Sequence, residues 1–153
     1  MNTVRIGLEP ADQPEVVRLV EELDAHQRPL YPAESHHGID ISALSQPNVL
    51  FAVARDGHGD AIACGAVVLF ENYGELKRMY VRPPHRGQRI GKAMLAFLEA
   101  QAAAKGCTSF ALETGVRQPE AIGLYSAAGY VHCPPFGRYG PDPNSAFMRK
   151  NTG

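Results

Sequence analysis

Apolar and polar residues alternate through Thr3–Leu8, the period-two pattern of a half-buried strand. Val16, Leu19, Val20 and Leu23 then recur at helical intervals behind Asp12 and Glu15, whose three-residue spacing is that of a capping box. An amphipathic helix ending near Asp24 is predicted. His26–Asn48 carries no clear period and holds Pro29, Pro32, Gly38 and Pro47, so a long loop is expected, with one helical turn at Asp40–Leu44. Val49–Arg55 and Ala61–Phe70 are apolar and β-branched and are joined by Asp56-Gly57-His58-Gly59-Asp60, a hairpin signal.

A second turn at Asn72–Gly74 leads into Glu75–Val81, where Leu76, Arg78 and Tyr80 alternate with Lys77, Met79 and Val81 as in a regular strand. An apolar-faced helix through Ala93, Met94, Phe97 and Leu98 stops at Gly106, a C-cap residue. Ser109–Glu113 reads as a short strand. Pro119 suits the first position of a helix reaching Ala128, with Gly129 after it. Tyr130–His132 and Ser145–Lys150 are the last strands, with a turn-rich connector at Cys133–Asn144 between them. The order β-α-(loop)-β-β-β-α-β-α-β-β is α+β. Its one crossover, through the Ala93–Lys105 helix, should join parallel strands with right-handed geometry.

Composition narrows the class. The 153 residues suit one domain, 1–153, without repeat or linker. With 15 Lys+Arg against 16 Asp+Glu there is no charge footprint for nucleic acid and no polybasic membrane patch. No apolar stretch approaches the ~20 residues of a membrane span, and MNTVRIGLEP lacks the apolar core of a signal peptide. Cys64, Cys107 and Cys133 are odd in number and show no CxxC, which fits reduced thiols in a cytoplasmic protein. His36-His37 lacks a third ligand at metal spacing, so no metal is expected.

Candidate chemistry concentrates between Val81 and Lys92, where a strand runs through a basic loop, His85-Arg86-Gly87-Gln88-Arg89-Ile90-Gly91, into a helix. Backbone N–H groups at a helix start are unpaired and carry the positive end of the dipole. With Gly87 and Gly91 for tight turning and close approach, and Arg82, Arg86, Arg89 and Lys92 as cations, the segment is a phosphate-type anion site or plain structural punctuation. The Gly-Lys-Ser/Thr ending of a P-loop and the G-x-G-x-x-G of a dinucleotide fold are both missing.

Glu75-Leu-Lys-Arg-Met-Tyr-Val81 followed by Arg86-Gly-Gln-Arg-Ile-Gly-Lys92 resembles the acyl-CoA-binding motif of the GNAT superfamily of N-acetyltransferases, Gln/Arg-x-x-Gly-x-Gly/Ala. Arg86, Ile90 and Gly91 fit, while Arg89 stands where the central Gly is usual. Gln118-Pro-Glu-Ala-Ile-Gly-Leu-Tyr-Ser-Ala-Ala-Gly-Tyr130 resembles the second family motif, Asn-x-x-Ala-x-x-Leu-Tyr-x-x-x-Gly-Phe, with Gln118 for Asn and Tyr130 for Phe. Two motifs in order are more specific than either alone. The resemblance is good from Val49 to Tyr130; the N-terminal helix region and the C-terminal tail match only in the pattern of their elements.

The resemblance implies a mixed, mostly antiparallel sheet of six to seven strands flanked by about four helices and splayed between the fourth and fifth strands. It implies acetyl-CoA as co-substrate, with pantetheine along Met79 and Val81, pyrophosphate on the amides from Gly87 through Gln88, Arg89 and Ile90 to Gly91, and Arg86, Lys92, Gln118 and Tyr125 around it. Direct transfer to a primary amine of a small molecule or protein follows, and a homodimer is common in the family although no feature here marks one.

An ammonium with pKa near 10.4 must lose a proton to attack, and a leaving thiolate must gain one. Glu75 matches the carboxylate that some members of the family use as general base, often through water, or is a solvated carboxylate at a strand end. Tyr125 matches its general acid, or is a core tyrosine flanked by Leu124 and Ile122. Glu71 and Glu113 either favour a cationic acceptor or are hairpin surface charge. A CoA-binding module without turnover is the alternative to an enzyme, and a nucleotide-binding protein of another fold is a third reading. Acceptor specificity is expected from the first helix, the His26–Asn48 loop and the Cys133–Asn144 connector.

Overall fold

The computed structural model describes residues 3–32 and 40–152. Seven strands form one sheet, β1 (Arg5–Leu8), β2 (Val49–Arg55), β3 (Ala61–Leu69), β4 (Gly74–Val81), β5 (Ser109–Gly115), β6 (Val131–His132) and β7 (Ser145–Asn151). Their spatial order is β1-β2-β3-β4-β5-β7-β6. Every pairing is antiparallel except β4–β5, which is joined by the crossover helix α3 (Ile90–Ala103). Helices α1 (Pro14–Gln27), α2 (Ile41–Leu44) and α4 (Pro119–Ala127) complete the layers. The α+β architecture, the parallel pair and the splay therefore form as the sequence pattern and the family resemblance anticipate. No helix is long and apolar enough, among the described residues, to cross a membrane.

Side-chain alternation along the strands builds two cores. Leu50, Ile62, Leu76, Phe110, Leu112 and Met148 turn to one face, against Met94, Leu95 and Leu98 of α3 and Tyr125 of α4. Phe51, Val53, Cys64, Ala66 and Tyr80 turn to the other, against Val16, Leu19, Val20 and Leu23 of α1 and Leu44 of α2. Each fully buried leucine contributes about 1.5–3 kcal/mol of transfer free energy. The alternation thus fixes which functional residues share a face.

Three local expectations change. The helix α1 is not closed by an Asp12–Glu15 box: Gln13 is its N-cap and makes no side-chain cap bond, and Pro14, which has no N–H to satisfy, is N1. Glu15 is drawn instead to Arg55, at 3.1 Å, in a cluster that also holds Glu9 at 2.8 Å. The loop expected from His26 begins later, because α1 runs to Gln27 and a 3-10 turn follows at Arg28–Leu30; the turn at Ile41–Leu44 forms, capped by Asp40 through the Ala43 amide. His36-His37 lies outside the described residues.

The third change bears on function. β4 is not a regular strand, because its register against β3 jumps from Ala66↔Lys77 to Cys64↔Tyr80, so Arg78 and Met79 together oppose Gly65. Arg78 takes a left-handed φ of 56°, which costs a non-glycine residue about 1–2 kcal/mol. Its guanidinium reaches Asp24 of α1 at 2.6 Å, which holds the bulge down. Gly65 makes room for it: a Cβ there would stand 2.3 Å from the Met79 sulfur. Bulges of this kind bend a strand and re-aim its side chains.

Candidate active site

β4 and β5 stay paired only from Gly74↔Phe110 to Leu76↔Leu112; beyond that the bulge carries Lys77–Val81 away from Glu113–Gly115. Two connected spaces open there. A cleft of about 610 Å³ is lined by Met79, Val81, Arg86, Gly87, Gly91 and Gln118 among others, and a small chamber of about 90 Å³ lies deeper in the splay. Met79, Gln118 and Tyr125 line both. A ligand cleft of several hundred Å³ suits an elongated small molecule.

One end of the cleft is a helix N-terminus. The first backbone bond of α3 runs from the Ala93 amide to the Arg89 carbonyl, 3.1 Å, so the amides of Ile90, Gly91 and Lys92 precede the helical ladder. Gly87 is left-handed at φ 79° and Arg89, the N-cap, at φ 64°. A glycine at position 89 would adopt that turn without the Cβ penalty, which explains physically why the related motif favours one. The Ile90 side chain is buried in the core, so only its backbone is available to a ligand. A Cβ on Gly91 would stand 3.3 Å from Leu124, so this glycine also lets α3 and α4 approach.

The cations divide. Arg82 is engaged by Glu22 at 2.9 Å, so it is an α1 anchor rather than part of an anion site. The Nε of Arg86 donates to the Val81 carbonyl at 2.9 Å while its guanidinium lies 5.7 Å from the Tyr80 ring centre. That bond takes one main-chain group of Val81 that an extended ligand would otherwise use. Gln88, Arg89 and Lys92 are exposed around the helix start.

Tyr125 sits on the α4 face of the splay, 7% exposed, edge-on to Tyr130 with ring centres 5.9 Å apart. Burial, and secondarily the charge of Glu113, pushes its phenol above the ordinary tyrosine range, so it stays protonated. Gln118 begins α4 beside it as N-cap, without a side-chain cap bond. Cys64 also lines the cleft, but burial pushes its thiol up to about 12, which leaves too little thiolate for nucleophilic attack near neutrality.

Glu75 lies on the opposite sheet face, because its neighbour Leu76 points into the α3–α4 core. It is 5% exposed. Its carboxylate accepts from the Tyr139 hydroxyl at 2.5 Å and pairs with Lys77 at 3.2 Å, and Lys77 also donates to the Tyr139 oxygen at 2.5 Å. Burial first, then the Glu75 hydrogen bond and charge, raise the Tyr139 phenol well above its usual range. Glu75 is therefore one corner of a closed, largely buried network, not a solvated strand-end carboxylate. Glu113 accepts from Ser145 Oγ at 2.7 Å.

Several of these residues carry no motif. Tyr139 reaches Glu75 from the Cys133–Asn144 connector, 64 residues away in sequence. Tyr31 covers the end of β5, where its hydroxyl accepts from the Arg117 amide at 3.1 Å and a Cβ on Gly115 would overlap its ring. The single available signal was Lys77, two residues from Glu75 and hence on the same strand face. Among the described residues no group of three or more His, Cys, Asp or Glu could hold a metal ion.

Comparison with known proteins agrees with this geometry. Residues 16–130 match the model of the acetyltransferase (GNAT) family. The chain is 45% identical over 152 residues to the IAA acetyltransferase of Azospirillum brasilense, covering 98% of this chain and 99% of the relative. It is 34% identical over 139 residues to an uncharacterized N-acetyltransferase of Bacillus subtilis, covering 89% and 91%. Among solved structures, a protein assigned as an acyl-CoA N-acyltransferase from Klebsiella pneumoniae superposes with a TM-score of 0.85 at 37% identity, over 99% of both chains. The fold is shared with PaiA N-acetyltransferase of Thermoplasma acidophilum, solved with coenzyme A, at TM-score 0.73 and 18% identity over 97% and 99% of the chains. The chain with the split sheet and the two motif helices belongs to the GNAT family and is an acetyl-CoA-dependent N-acyltransferase.

Proposed function

We propose that the protein moves the acetyl group of acetyl-CoA directly onto a primary amine, with Tyr125 as the acid for the leaving thiolate and Glu75 as the proton acceptor. The observation that carries this reading is the position of Tyr125, which lines both the cleft and the deeper chamber of the splay. The cleft supports the cofactor reading. Gly87 is open, the Ile90, Gly91 and Lys92 amides precede the helical ladder, and Arg86, Gln88, Arg89 and Lys92 surround that end. A pyrophosphate would gain the dipole and several N–H donors there. Met79, Val81 and Gln118 would flank the pantetheine arm.

Direct transfer needs no covalent intermediate, and the buried Cys64 thiol makes a poor nucleophile. The acceptor ammonium first gives up one proton, which frees the nitrogen lone pair to attack the thioester carbonyl. Tyr139, hydrogen-bonded to Glu75, can pass that proton inward. The C–S bond then breaks, the Tyr125 hydroxyl donates to the departing sulfur, and the second proton of the attacking nitrogen, lost as the amide forms, restores the Tyr125 phenol. A main-chain N–H near Met79–Val81 would meet the oxyanion.

The test is a thiol-release assay with acetyl-CoA and a panel of primary amines, with the acetylated amine identified by mass spectrometry. One CoA released per amide formed is the expected result. Calorimetric binding of CoA without amine-dependent release would overturn the enzymatic reading in favour of a non-catalytic acyl-CoA sensor.

A further inference from the structure

On the α2 face of the sheet lies a third space, about 870 Å³, between the β3–β4 hairpin and the Cys133–Asn144 connector. Lys77 lines both this space and the small chamber that Tyr125 also lines, so the two neighbour each other at this residue. We infer that this space holds the body of the acceptor, and that the acceptor is a small amine carrying a flat aromatic ring and a carboxylate. The inference rests on the acetyl-transfer reading above and names its second substrate.

The wall argues for the ring. Phe70 and Tyr73 are stacked at 5.0 Å, Phe136 meets Tyr73 at 5.8 Å and Tyr139 at 5.1 Å, and Phe70, Tyr73 and Tyr139 line the space directly. Phe70 is 47% exposed, an apolar ring left partly uncovered at the mouth. Offset and edge-on contacts of this kind are favourable beyond area burial, and a flat guest can extend them.

The charges argue for the carboxylate. Glu75 and Lys77 neutralise each other at the floor, 3.2 Å apart. Arg138 is then the one further charged side chain among the described residues lining the space, and it is exposed. A guanidinium at the rim suits a carboxylate, which it can hold in a two-point contact. A second ammonium on an aliphatic diamine would find no unneutralised carboxylate there.

The experiment compares kcat/KM for L-phenylalanine and L-tryptophan with 2-phenylethylamine, 1,4-diaminobutane and a lysine peptide, using the full chain and acetyl-CoA. At least a tenfold preference for the amino acids is expected over each of the others. Phe70→Ala should raise KM for L-phenylalanine at least fivefold while KM for acetyl-CoA stays within twofold. Arg138→Ala should erase the advantage over 2-phenylethylamine. Preference for the diamine or the peptide, or an unchanged KM in Phe70→Ala, overturns the inference and leaves acetyl transfer standing. If no amine is acetylated, the transfer reading fails; calorimetric titration of L-phenylalanine against 1,4-diaminobutane then decides, because binding of the aromatic amine alone retains the third space's assignment and its absence removes it.

Discussion

On the cofactor side of the splay, the groups that would meet a ligand are mostly backbone: the amides opening α3, left-handed turns at Gly87 and Arg89, and the bulged edge of β4. On the proposed acceptor side they are side chains, among them Phe70, Lys77, Arg138 and Tyr139, gathered from the hairpin, β4 and the distant connector. A backbone site can be built only where the chain turns in one way, so it leaves a local signature of glycines and spacing. A side-chain site needs only that separate segments meet, and any of its members can change without disturbing the turn.

The largest effect should come from filling the backbone's own room. Gly65 faces the bulge, and even a single added carbon would press on Met79 at 2.3 Å and Leu98 at 3.2 Å. In Gly65→Val the flexible thioether is the atom that yields, and it moves toward the cleft it lines. Overpacking costs about 1–3 kcal/mol, read as a lower melting temperature. KM for acetyl-CoA should rise at least tenfold while the preference among acceptors is unchanged. An altered acceptor preference with normal acetyl-CoA binding would break the division between the two sides.

That division also explains what the sequence revealed. The strands from Val49 to Val81 and the two motif helices follow from apolar β-branched runs, turn signals, helical spacing and the Gly106, Pro119 and Gly129 punctuation, while the splay was implied only by the family resemblance. The left-handed Gly106 and Gly129, at φ 88° and 99°, do the work their positions suggest. The bulge at Arg78 was hidden, because an arginine in an alternating strand gives no sign of a positive φ; its cause is Gly65 across the ladder and Asp24 on another helix. Glu75 could be singled out, but its engagement by Tyr139 could not, since the pairing spans 64 residues and no period links them. Arg82 likewise belongs by sequence to the basic cluster, but its pairing with Glu22 of α1 rests on a contact between distant segments that no local pattern marks.

Tyr125 is the exception on the cofactor side, a side chain to which the proposed mechanism gives the acid's part. Tyr125→Phe removes only the hydroxyl and keeps the ring that packs edge-on against Tyr130. At least a tenfold fall in kcat is expected, about 1.4 kcal/mol of barrier, with KM for acetyl-CoA nearly unchanged. Because burial and Glu113 raise this phenol, it stays protonated as pH rises, and no loss of kcat should arise from its ionisation up to about pH 10. Unchanged turnover in the variant would return Tyr125 to the core and leave this side built of backbone alone.

The smallest expected effect belongs to Arg89, where the two ways of building a site compete at one residue. Its backbone is left-handed at φ 64°, and its side chain is an exposed cation at the helix start. Arg89→Gly relieves about 1–2 kcal/mol of steric cost and returns roughly half of it as extra freedom of the unfolded chain. The melting temperature should therefore rise by no more than about 2–4 °C for a domain of this size. If phosphate is held chiefly by amides, KM for acetyl-CoA should change less than threefold, because an exposed charge contributes little through water and salt. A tenfold loss of affinity with the same gain in stability would make Arg89 a true ligand, and the cofactor side would then share the side-chain logic of the acceptor side.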